Sequence, residues 1–370
     1  MPKNNPEQPR VVRITAPREV ELVPTRPLVA GPTEVRLRTL YSGVSAGTEL
    51  TTYLGTNPNV QRHWDPQRRL FIDATDDDAS YPVSGFGYEE VGEIVELGSD
   101  RSAMGGLHLG QRVWGIWGHR SDGVLLAEQA MHQTLPDDAP AVAGVFARVG
   151  AVALNAVVEA DIHVGETVAI FGQGVIGLLA TALAKLNGAE VIAVDARPER
   201  LALARRFGAD HVLDATWSPA GEYSRDVTSG RGADVCIELS GAYPALQEAI
   251  RTCGYGGRVV ASGFYQGPAT ALRLGEEFHH NRIELVSSQI SGVPARYHNR
   301  WTRERLHRGF MELVTSGRVD PQPLITHTLA AAQVAQAFEA LAGGAADTLQ
   351  VVLDFAGTGT THDQMEEHRK

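Results

Sequence analysis

The feature that most constrains this chain is a glycine-rich segment, Phe171-Gly172-Gln173-Gly174-Val175-Ile176-Gly177. An apolar run, Thr167–Phe171, precedes it, and a helical pattern, Val175–Leu186, follows it. The next apolar run, Val191–Val194, is followed directly by Asp195. Strand, glycine-rich turn, helix, strand and acid in this order are typical of the βαβ unit that binds a dinucleotide.

Each position of this segment has a mechanical role in such a unit. Gly172 allows the tight turn, Gly174 lets the backbone approach a pyrophosphate, and Gly177 lets the helix pack closely on the strand. Free N–H groups and the positive end of the helix dipole then face the phosphates. Asp195 is placed to accept hydrogen bonds from a ribose diol, which favours NAD. The predicted cofactor-binding residues are Gly172, Gln173, Gly174, Val175, Ile176, Gly177, Asp195 and Arg200. A βαβ turn with a purely structural role is the alternative.

Length and charge restrict the class of protein. A chain of 370 residues suggests two domains. The formal net charge of −11 argues against nucleic acid or an anionic membrane as the main partner, so we expect a small-molecule substrate. We find no apolar stretch of the roughly 18 residues that span a bilayer. The polar N-terminus has no signal core, and Cys236 and Cys253 lie in apolar stretches, so we expect buried thiols in a reducing cytoplasm.

The pattern of the chain changes along its length. The first 150 residues hold short β-like runs separated by turn signals, which predicts a compact antiparallel β domain. Within it, residues 62–78 form a polar, irregular stretch that contains Trp64 and Phe71, and we expect a surface loop or lid there. From Thr167 onward β and α patterns alternate, which predicts a parallel sheet covered on both faces. The later patterns predict helices over 302–316 and 330–341, a strand over 348–355, and a disordered tail from 357 to 370.

Three further motifs are informative: Ser42-Gly43-Val44-Ser45-Ala46-Gly47-Thr48-Glu49, Gly87-Tyr88-Glu89-Glu90-Val91-Gly92-Glu93-Ile94-Val95 and Val164-Gly165-Glu166-Thr167-Val168 before the glycine-rich turn. With these motifs the chain resembles the medium-chain dehydrogenase/reductase superfamily, from about Val11 to Phe355. The resemblance implies an α/β protein with a GroES-like β domain and a Rossmann domain with a doubly wound parallel sheet. It places the catalytic domain at 1–150, the dinucleotide-binding domain at 151–291 and a return to the catalytic domain at 292–356. A homodimer is the family expectation.

The departures from the family concern its metal. Zinc members have a cysteine in the first motif and a histidine before the glutamate in the second. The counterparts here are Ser45 and Tyr88, with Ala46 an insertion. The third ligand position falls near Ala147 or Arg148, and neither can bind zinc. Only Glu89 remains, so we expect no metal. The pairing of the two motifs resembles a metal-free branch that includes bacteriochlorophyllide dehydrogenases and several sugar or cyclitol oxidoreductases.

Without zinc, side chains must handle the proton and stabilise the oxyanion during hydride transfer. Tyr88 is the first candidate because it takes the place of a metal ligand and carries a phenol. A packed core tyrosine is the alternative. Glu89 is the candidate proton relay, and a buried structural hydrogen bond is its alternative.

Other polar residues are weaker catalytic candidates. His119 suits a proton shuttle, against the alternative of a surface-loop histidine. Ser45, Thr48 and Glu49 are expected to line the cleft, and the alternative for Thr48 and Glu49 is that they only hold the loop. For the basic, aromatic run 296–301, an exposed interdomain turn is favoured over contact with the substrate.

The sequence therefore predicts an NAD(H)-dependent, zinc-independent oxidoreductase that acts on a polar secondary alcohol or ketone. One alternative is an NADPH-dependent quinone or enone reductase, against which Asp195 argues. The other is a non-catalytic protein that binds a dinucleotide as a sensor.

Overall fold

The computed structural model describes residues 8–73 and 81–357. These residues divide into two compact units, the first from the described parts of 1–148 and 322–370 and the second from 149–321. The first segment of unit 1 contains three helices, α1 (Thr48–Leu54), α2 (Pro58–Gln61) and α3 (Ala127–Met131). Its strands are β1 (Arg10–Ala16), β2 (Glu19–Pro24), β3 (Glu34–Val44), β4 (Arg62–Asp65), β5 (Leu70–Asp73), β6 (Val83–Ser84), β7 (Glu90–Leu97), β8 (Arg112–Gly115) and β9 (Asp122–Leu126).

Unit 2 alternates helices and strands. Its helices are α4 (Phe146–Ala160, which begins in unit 1), α5 (Val175–Leu186), α6 (Pro198–Arg206), α7 (Ala220–Val227), α8 (Tyr243–Thr252) and α9 (Arg303–Thr315). Its strands are β10 (Thr167–Phe171), β11 (Glu190–Asp195), β12 (His211–Asp214), β13 (Ala233–Glu238), β14 (Cys253–Ala261) and β15 (Glu284–Ser287). The chain then returns to unit 1 with β16 (Ile325–Ala330), α10 (Val334–Gly343) and β17 (Gln350–Asp354).

The sheet of unit 2 is parallel and has the strand order β12-β11-β10-β13-β14-β15. All five residues of β10 are buried, as expected for a strand covered on both faces. The order reverses between β10 and β13, and in such sheets ligands bind at the carboxyl ends of the strands beside the reversal. The predicted α/β class with a doubly wound sheet is confirmed.

Unit 1 is built on a mixed sheet with the order β16-β17-β3-β7-β8, in which β9 also pairs with β3. Buried and less buried residues alternate in β3 as far as Thr39, whereas Ser42, Gly43 and Val44 are buried in succession. In the antiparallel register Ser42 lies opposite Glu90 of β7, and Glu90 lies opposite Gly115 of β8. The buried end of β3 therefore brings polar residues from distant parts of the sequence together.

Two expectations about secondary structure need correction. Residues 62–73 are not irregular, because β4 and β5 form an antiparallel hairpin in which Trp64 and Phe71 pair with ring centroids 5.1 Å apart. The rest of that predicted loop, 74–78, lies outside the described residues, as does the tail from 358 onward. The helix predicted from 330 begins only at Val334, because β16 continues to Ala330 and pairs with β17.

The return to unit 1 occurs later than the expected residue 292. Unit 2 extends to Pro321, because residues beyond 292 pack on α4. Leu306 clusters with Ala151 and Ile290, and a Cβ on Gly150 would lie 2.1 Å from the Phe310 ring. Helix α9 therefore belongs to the core of unit 2.

One apolar segment is longer than the sequence analysis recognised. Residues 141–160 form a helical stretch that is long and apolar enough to cross a membrane by length and composition. In the structure 67% of the 18-residue window that passes this test is buried inside the protein, which is also how the core helix of a globular unit is placed. Cys236 and Cys253 are free and buried, as predicted.

Candidate functional site

The turn between β10 and α5 has the backbone geometry of a phosphate-binding turn. Gly172 has a φ of 85°, and a Cβ there would lie 2.7 Å from the backbone nitrogen of Ser240, so only glycine fits. A Cβ on Gly177 would lie 1.8 Å from the carbonyl oxygen of Gly172. A Cβ on Gly174 would meet nothing within 4 Å, and no side chain caps α5. The start of α5 at Val175 and Ile176 therefore offers open space and N–H donors to an anion.

Gln173 stabilises this turn from the side of the protein core. Its side chain is fully buried, donates from Nε2 to the carbonyl oxygen of Ile170 at 2.9 Å, and accepts from the Thr181 hydroxyl at 2.9 Å. Its backbone N–H donates to Oδ2 of Asp195 at 2.6 Å. The side chain of Gln173 thus faces the core, and its hydrogen bonds hold the glycine-rich turn in place.

Asp195 ends β11 and is held beside the turn. Its Oδ1 accepts from the backbone N–H of Arg197 at 2.9 Å, and the residue is 9% exposed. Burial lowers the pKa of the nearby Arg200 guanidinium, and the Asp195 carboxylate partly opposes this effect. The Nε of Arg200 is buried and has no hydrogen-bond partner in the described part of the chain. Asp195 therefore lies near the Arg200 guanidinium, one nitrogen of which has no hydrogen-bond partner among the described residues.

Glu238 is a polar residue at this edge of the sheet that the sequence analysis missed. It ends β13 and is fully buried. Its Oε1 accepts from the backbone N–H of Ser240 at 2.7 Å, and its Oε2 accepts from the N–H of Gly241 at 3.2 Å and from the Tyr265 hydroxyl. Burial raises the pKa of Glu238, and these donors partly oppose the shift. Glu238 thus bonds the loop after β13, at Ser240, and the loop after β14, at Tyr265. Because Ser240 packs against Gly172, these contacts stabilise the glycine-rich turn. An acid after the apolar run of β13 was the available sequence signal.

A second polar cluster lies in unit 1 around His119. This residue is fully buried, so it is not the surface-loop histidine that the sequence allowed. Its Nε2 lies 2.8 Å from Oε2 of Glu49, and its Nδ1 lies 2.6 Å from the hydroxyl oxygen of Ser42. Its backbone is held by hydrogen bonds to Phe86 and Val12, both of 2.8 Å. Both ring nitrogens are engaged, so His119 does not present a free nitrogen to a substrate.

Two adjacent glutamates complete this cluster. Glu90 accepts from the Ser42 hydroxyl at 3.0 Å and from the backbone N–H of Trp117 at 3.0 Å. Glu89 accepts from Nε2 of Gln350 at 3.0 Å. Burial raises the pKa of both carboxyls; neighbouring carboxylates raise that of Glu89 further, and His119 opposes the shift at Glu90.

Glu89 is buried as the structural alternative expected. One oxygen of Glu89, Oε1, and one of Glu49, also Oε1, are buried without a hydrogen-bond partner among the residues described. Glu49, which was expected to line the cleft or to hold the loop, is buried and is a central member of the cluster.

Tyr88 lies directly before these glutamates and stays partly exposed. Burial of its phenol raises its pKa well above the usual range, and the carboxylates of Glu49 and Glu89 raise it further. Hydrogen bonding to the side chains of Ser45 and Thr48 lowers the pKa in part. Ser45 is buried, and its N–H donates to Glu49 at 3.2 Å, whereas Thr48 is exposed at the start of α1. The structure therefore brings Tyr88, Ser45 and Thr48 together in unit 1.

Among the described residues of unit 1, the counterparts of the family's zinc ligands do not suit zinc. Within residues 8–73 and 81–357, no group of three or more His, Cys, Asp or Glu side chains could hold a metal ion. Ser45 and Tyr88 contribute hydroxyls, which are not the thiolate, imidazole or carboxylate ligands that zinc prefers. Ala147 is buried and has no donor. The single imidazole of the cluster, His119, is already bonded to Glu49 and Ser42.

The basic, aromatic run 296–301 makes its contacts inside unit 2. Arg296 forms ion pairs with Glu159 and Asp161 at 3.4 and 3.7 Å, and the Tyr297 hydroxyl donates to Asp161. The Arg300 guanidinium stacks on Tyr297, 4.6 Å from the ring centroid. These contacts give Arg296 and Tyr297 a structural role.

Comparison with known proteins gives three kinds of match. The family model described as Zinc-binding dehydrogenase matches residues 175–304. The D-guloside 3-dehydrogenase of Shigella flexneri is 30% identical over 317 residues, which cover 84% of this chain and 89% of that protein.

Two solved structures have the same fold. One is a Sinorhizobium meliloti 1021 protein proposed to be a zinc-binding dehydrogenase and solved with NADP; its TM-score is 0.75 at 21% identity, with 94% of this chain and 99% of that chain covered. The other is an alcohol dehydrogenase of Escherichia coli CFT073 complexed with NADH; its TM-score is 0.72 at 20% identity, with 94% and 99% covered.

Proposed function

Because the chain belongs to the zinc-binding dehydrogenase superfamily of alcohol dehydrogenase-like, medium-chain enzymes, we propose that it transfers hydride between NAD(H) and a polar secondary alcohol or ketone without zinc. The observation that carries this proposal is the turn between β10 and α5, where Gly174 is open and Asp195 lies beside it. A nicotinamide cofactor, when bound, supplies the hydride acceptor or donor.

The cofactor choice rests on the second strand of the sheet in unit 2. Asp195 ends β11, where a carboxylate accepts hydrogen bonds from a ribose diol and repels a 2′-phosphate. Arg200 weakens that repulsion because it lies close enough to interact with the same carboxylate. NAD(H) is therefore the favoured cofactor, and NADP(H) is the competing one.

The proton chemistry is assigned to unit 1. A phenol whose pKa is raised stays protonated at neutral pH, so Tyr88 donates a proton to the oxygen of a ketone during reduction. The hydroxyls of Ser45 and Thr48 orient the phenol and offer hydrogen bonds to a polar substrate. His119 and Glu89 support this arrangement from the buried side and do not touch the substrate.

The substrate class follows from the same hydroxyl-rich surroundings and from the resemblance to a D-guloside 3-dehydrogenase. A sugar or cyclitol carries several hydroxyls, of which one reacts and the others bind. A polar secondary alcohol of this class is therefore the proposed substrate.

The test is a panel of sugars, cyclitols, simple alcohols, ketones and enones, followed by the absorbance of the reduced cofactor. We expect turnover on polyhydroxylated compounds with NAD(H). In Tyr88→Phe we expect the turnover number to fall about 100-fold or more, with NADH affinity unchanged. Tyr243→Phe in unit 2 is the matched control. Turnover of enones alone would favour the reductase alternative, and NADH binding without any turnover would favour the sensor.

A further inference from the structure

The two ring nitrogens of His119 face different kinds of hydrogen-bonding group. Nε2 faces a carboxylate oxygen of Glu49 at 2.8 Å, and Nδ1 faces the hydroxyl oxygen of Ser42 at 2.6 Å. The same hydroxyl lies 3.0 Å from Oε1 of Glu90. The protonation state of the ring can therefore be deduced by counting donors.

An ionised carboxylate only accepts hydrogen bonds, so Nε2 must carry a proton to bond Glu49. The Ser42 hydroxyl has a single proton, and it donates this proton to Glu90. Ser42 must then accept from Nδ1, which therefore carries a proton as well. Both oxygens of Glu90 act as acceptors, because the second one accepts the Trp117 N–H at 3.0 Å.

We propose that His119 is an imidazolium at neutral pH, that it is the counter-charge shared by Glu49 and Glu90, and that it thereby holds the Ser45–Glu49 turn beside Tyr88. The charged groups that face it are Glu49 from α1 and Glu90 from β7, with Nδ1 3.9 Å from Oε1 of Glu90. On the remaining sides the rings of Phe86 and Phe338 pack edge-on, at 5.2 and 6.5 Å between centroids.

The electrostatic surroundings agree with this hydrogen-bond count. Burial by itself lowers the pKa of His119, but the charge of Glu49, its hydrogen bond and the charge of Glu90 raise it above the ordinary value. Among the described residues, no other cation forms an ion pair with Glu49 or Glu90. A neutral ring would leave these buried carboxylates without a counter-charge.

The charge reaches the proposed proton donor through one chain of contacts. Oε2 of Glu49 accepts from His119 and from the backbone N–H of Ser45. Ser45 and Thr48 in turn hydrogen-bond the Tyr88 phenol. His119 is thus a positioning residue, and its effect on turnover rests on the proposed function, whereas its charge does not.

The charge is tested by ¹⁵N NMR of the histidine rings in the wild-type protein, with His119→Gln identifying the resonances. At about pH 8, above the ordinary histidine pKa of about 6.5, we expect both nitrogens of His119 to resonate as protonated. An unprotonated Nδ1 would mean that Ser42 donates to the ring and that Glu90 carries the proton, and this result would overturn the proposal. Glu90→Gln should lower the pH at which the ring loses a proton, and an unchanged titration would also contradict it.

The positioning role is tested by kinetics. His119→Gln keeps an N–H donor but removes the charge, so we expect the turnover number to fall about 10- to 100-fold with NADH affinity unchanged. His211→Gln, which alters a histidine that pairs with Glu190 at 3.2 Å on the surface of unit 2, is the matched control. Wild-type turnover in His119→Gln refutes the positioning role, whereas absence of NADH binding by the wild type refutes the proposed function instead.

Discussion

Cofactor selectivity should depend on the charge of Asp195. In the structure this carboxylate accepts the backbone N–H of Gln173 at 2.6 Å and that of Arg197 at 2.9 Å, so it is held in one position. Asp195→Asn keeps an acceptor oxygen and removes the charge. Asp195→Ser removes the charge and most of the contacts.

The magnitude follows from Coulomb's law. A negative charge about 4 Å from the carboxylate is disfavoured by about 1 kcal/mol in bulk water and by about 4 kcal/mol near a protein surface. Asp195 is only 9% exposed, so the repulsion of a 2′-phosphate lies in the upper part of this range. Arg200 offsets part of it, since it interacts with the same carboxylate. We expect a net preference for NAD(H) of at least about 1.4 kcal/mol, or tenfold.

The assay is titration of NADH and NADPH against the wild type, Asp195→Asn and Asp195→Ser, followed by fluorescence of the reduced cofactor. We expect both variants to reduce or reverse the preference for NADH over NADPH, and Asp195→Asn to retain more NADH affinity than Asp195→Ser. Asp214→Asn changes the acid at the end of the neighbouring strand β12 and should leave the ratio unchanged. Tighter NADPH binding by the wild type would refute the assignment of Asp195 to the ribose.

Three further outcomes are expected. Elemental analysis of the purified protein should find no stoichiometric zinc, and chelators should leave activity intact; one zinc per chain, lost together with activity, contradicts this. Alcohol oxidation needs Tyr88 as a phenolate, and the pKa of the phenol is raised, so the rate of oxidation should increase with pH through the alkaline range. The rate of ketone reduction should stay constant until the phenol ionises. An oxidation rate that does not change with pH would contradict the role of Tyr88. Glu238→Gln should lower the free energy of unfolding in urea by about 1–3 kcal/mol, because an amide nitrogen cannot accept from the N–H groups around it. An unchanged unfolding midpoint would show that Glu238 does not stabilise the turn.

The sheet of unit 2 was predictable because its signals are local. The strand predicted over Thr167–Phe171 has the same bounds in the structure, since four successive apolar residues after Thr167 and directly before a glycine are typical of a short buried strand. The boundary at 322 was not predictable in this way. It depends on the packing of α9 against α4, where Gly150 leaves room for the Phe310 ring.

The site in unit 1 shows the same division. Tyr88, Ser45 and Thr48 could be predicted as site residues because each stands in a recognisable motif. The surroundings of His119 were not found, because Ser42 lies 77 residues away in sequence and Glu49 70 residues away. They meet through contacts between distant segments, among them the backbone hydrogen bonds of His119 with Val12 and Phe86, and no local pattern encodes these contacts.

The hairpin of β4 and β5 was missed for a different reason. Its residues are mostly exposed, so the alternation of buried and exposed positions that marks a strand is lacking. The available signal was the pair Trp64 and Phe71, which face each other across the two strands. Cross-strand aromatic pairs stabilise such ribbons, but they are visible in a sequence only once the turn between them has been placed.

The buried carboxylates of unit 1 bear on the proton chemistry proposed for Tyr88. Glu49, Glu89 and Glu90 are each at most 4% exposed, and like charges so close together are unstable unless a cation or a proton intervenes. Among the described residues, the basic group within the cluster is His119. If its imidazolium is shared by Glu49 and Glu90, Glu89 is the carboxyl that takes up a proton, in agreement with its strongly raised pKa. The cluster then keeps a single negative charge, and the phenol of Tyr88 is the group proposed to exchange a proton with the substrate.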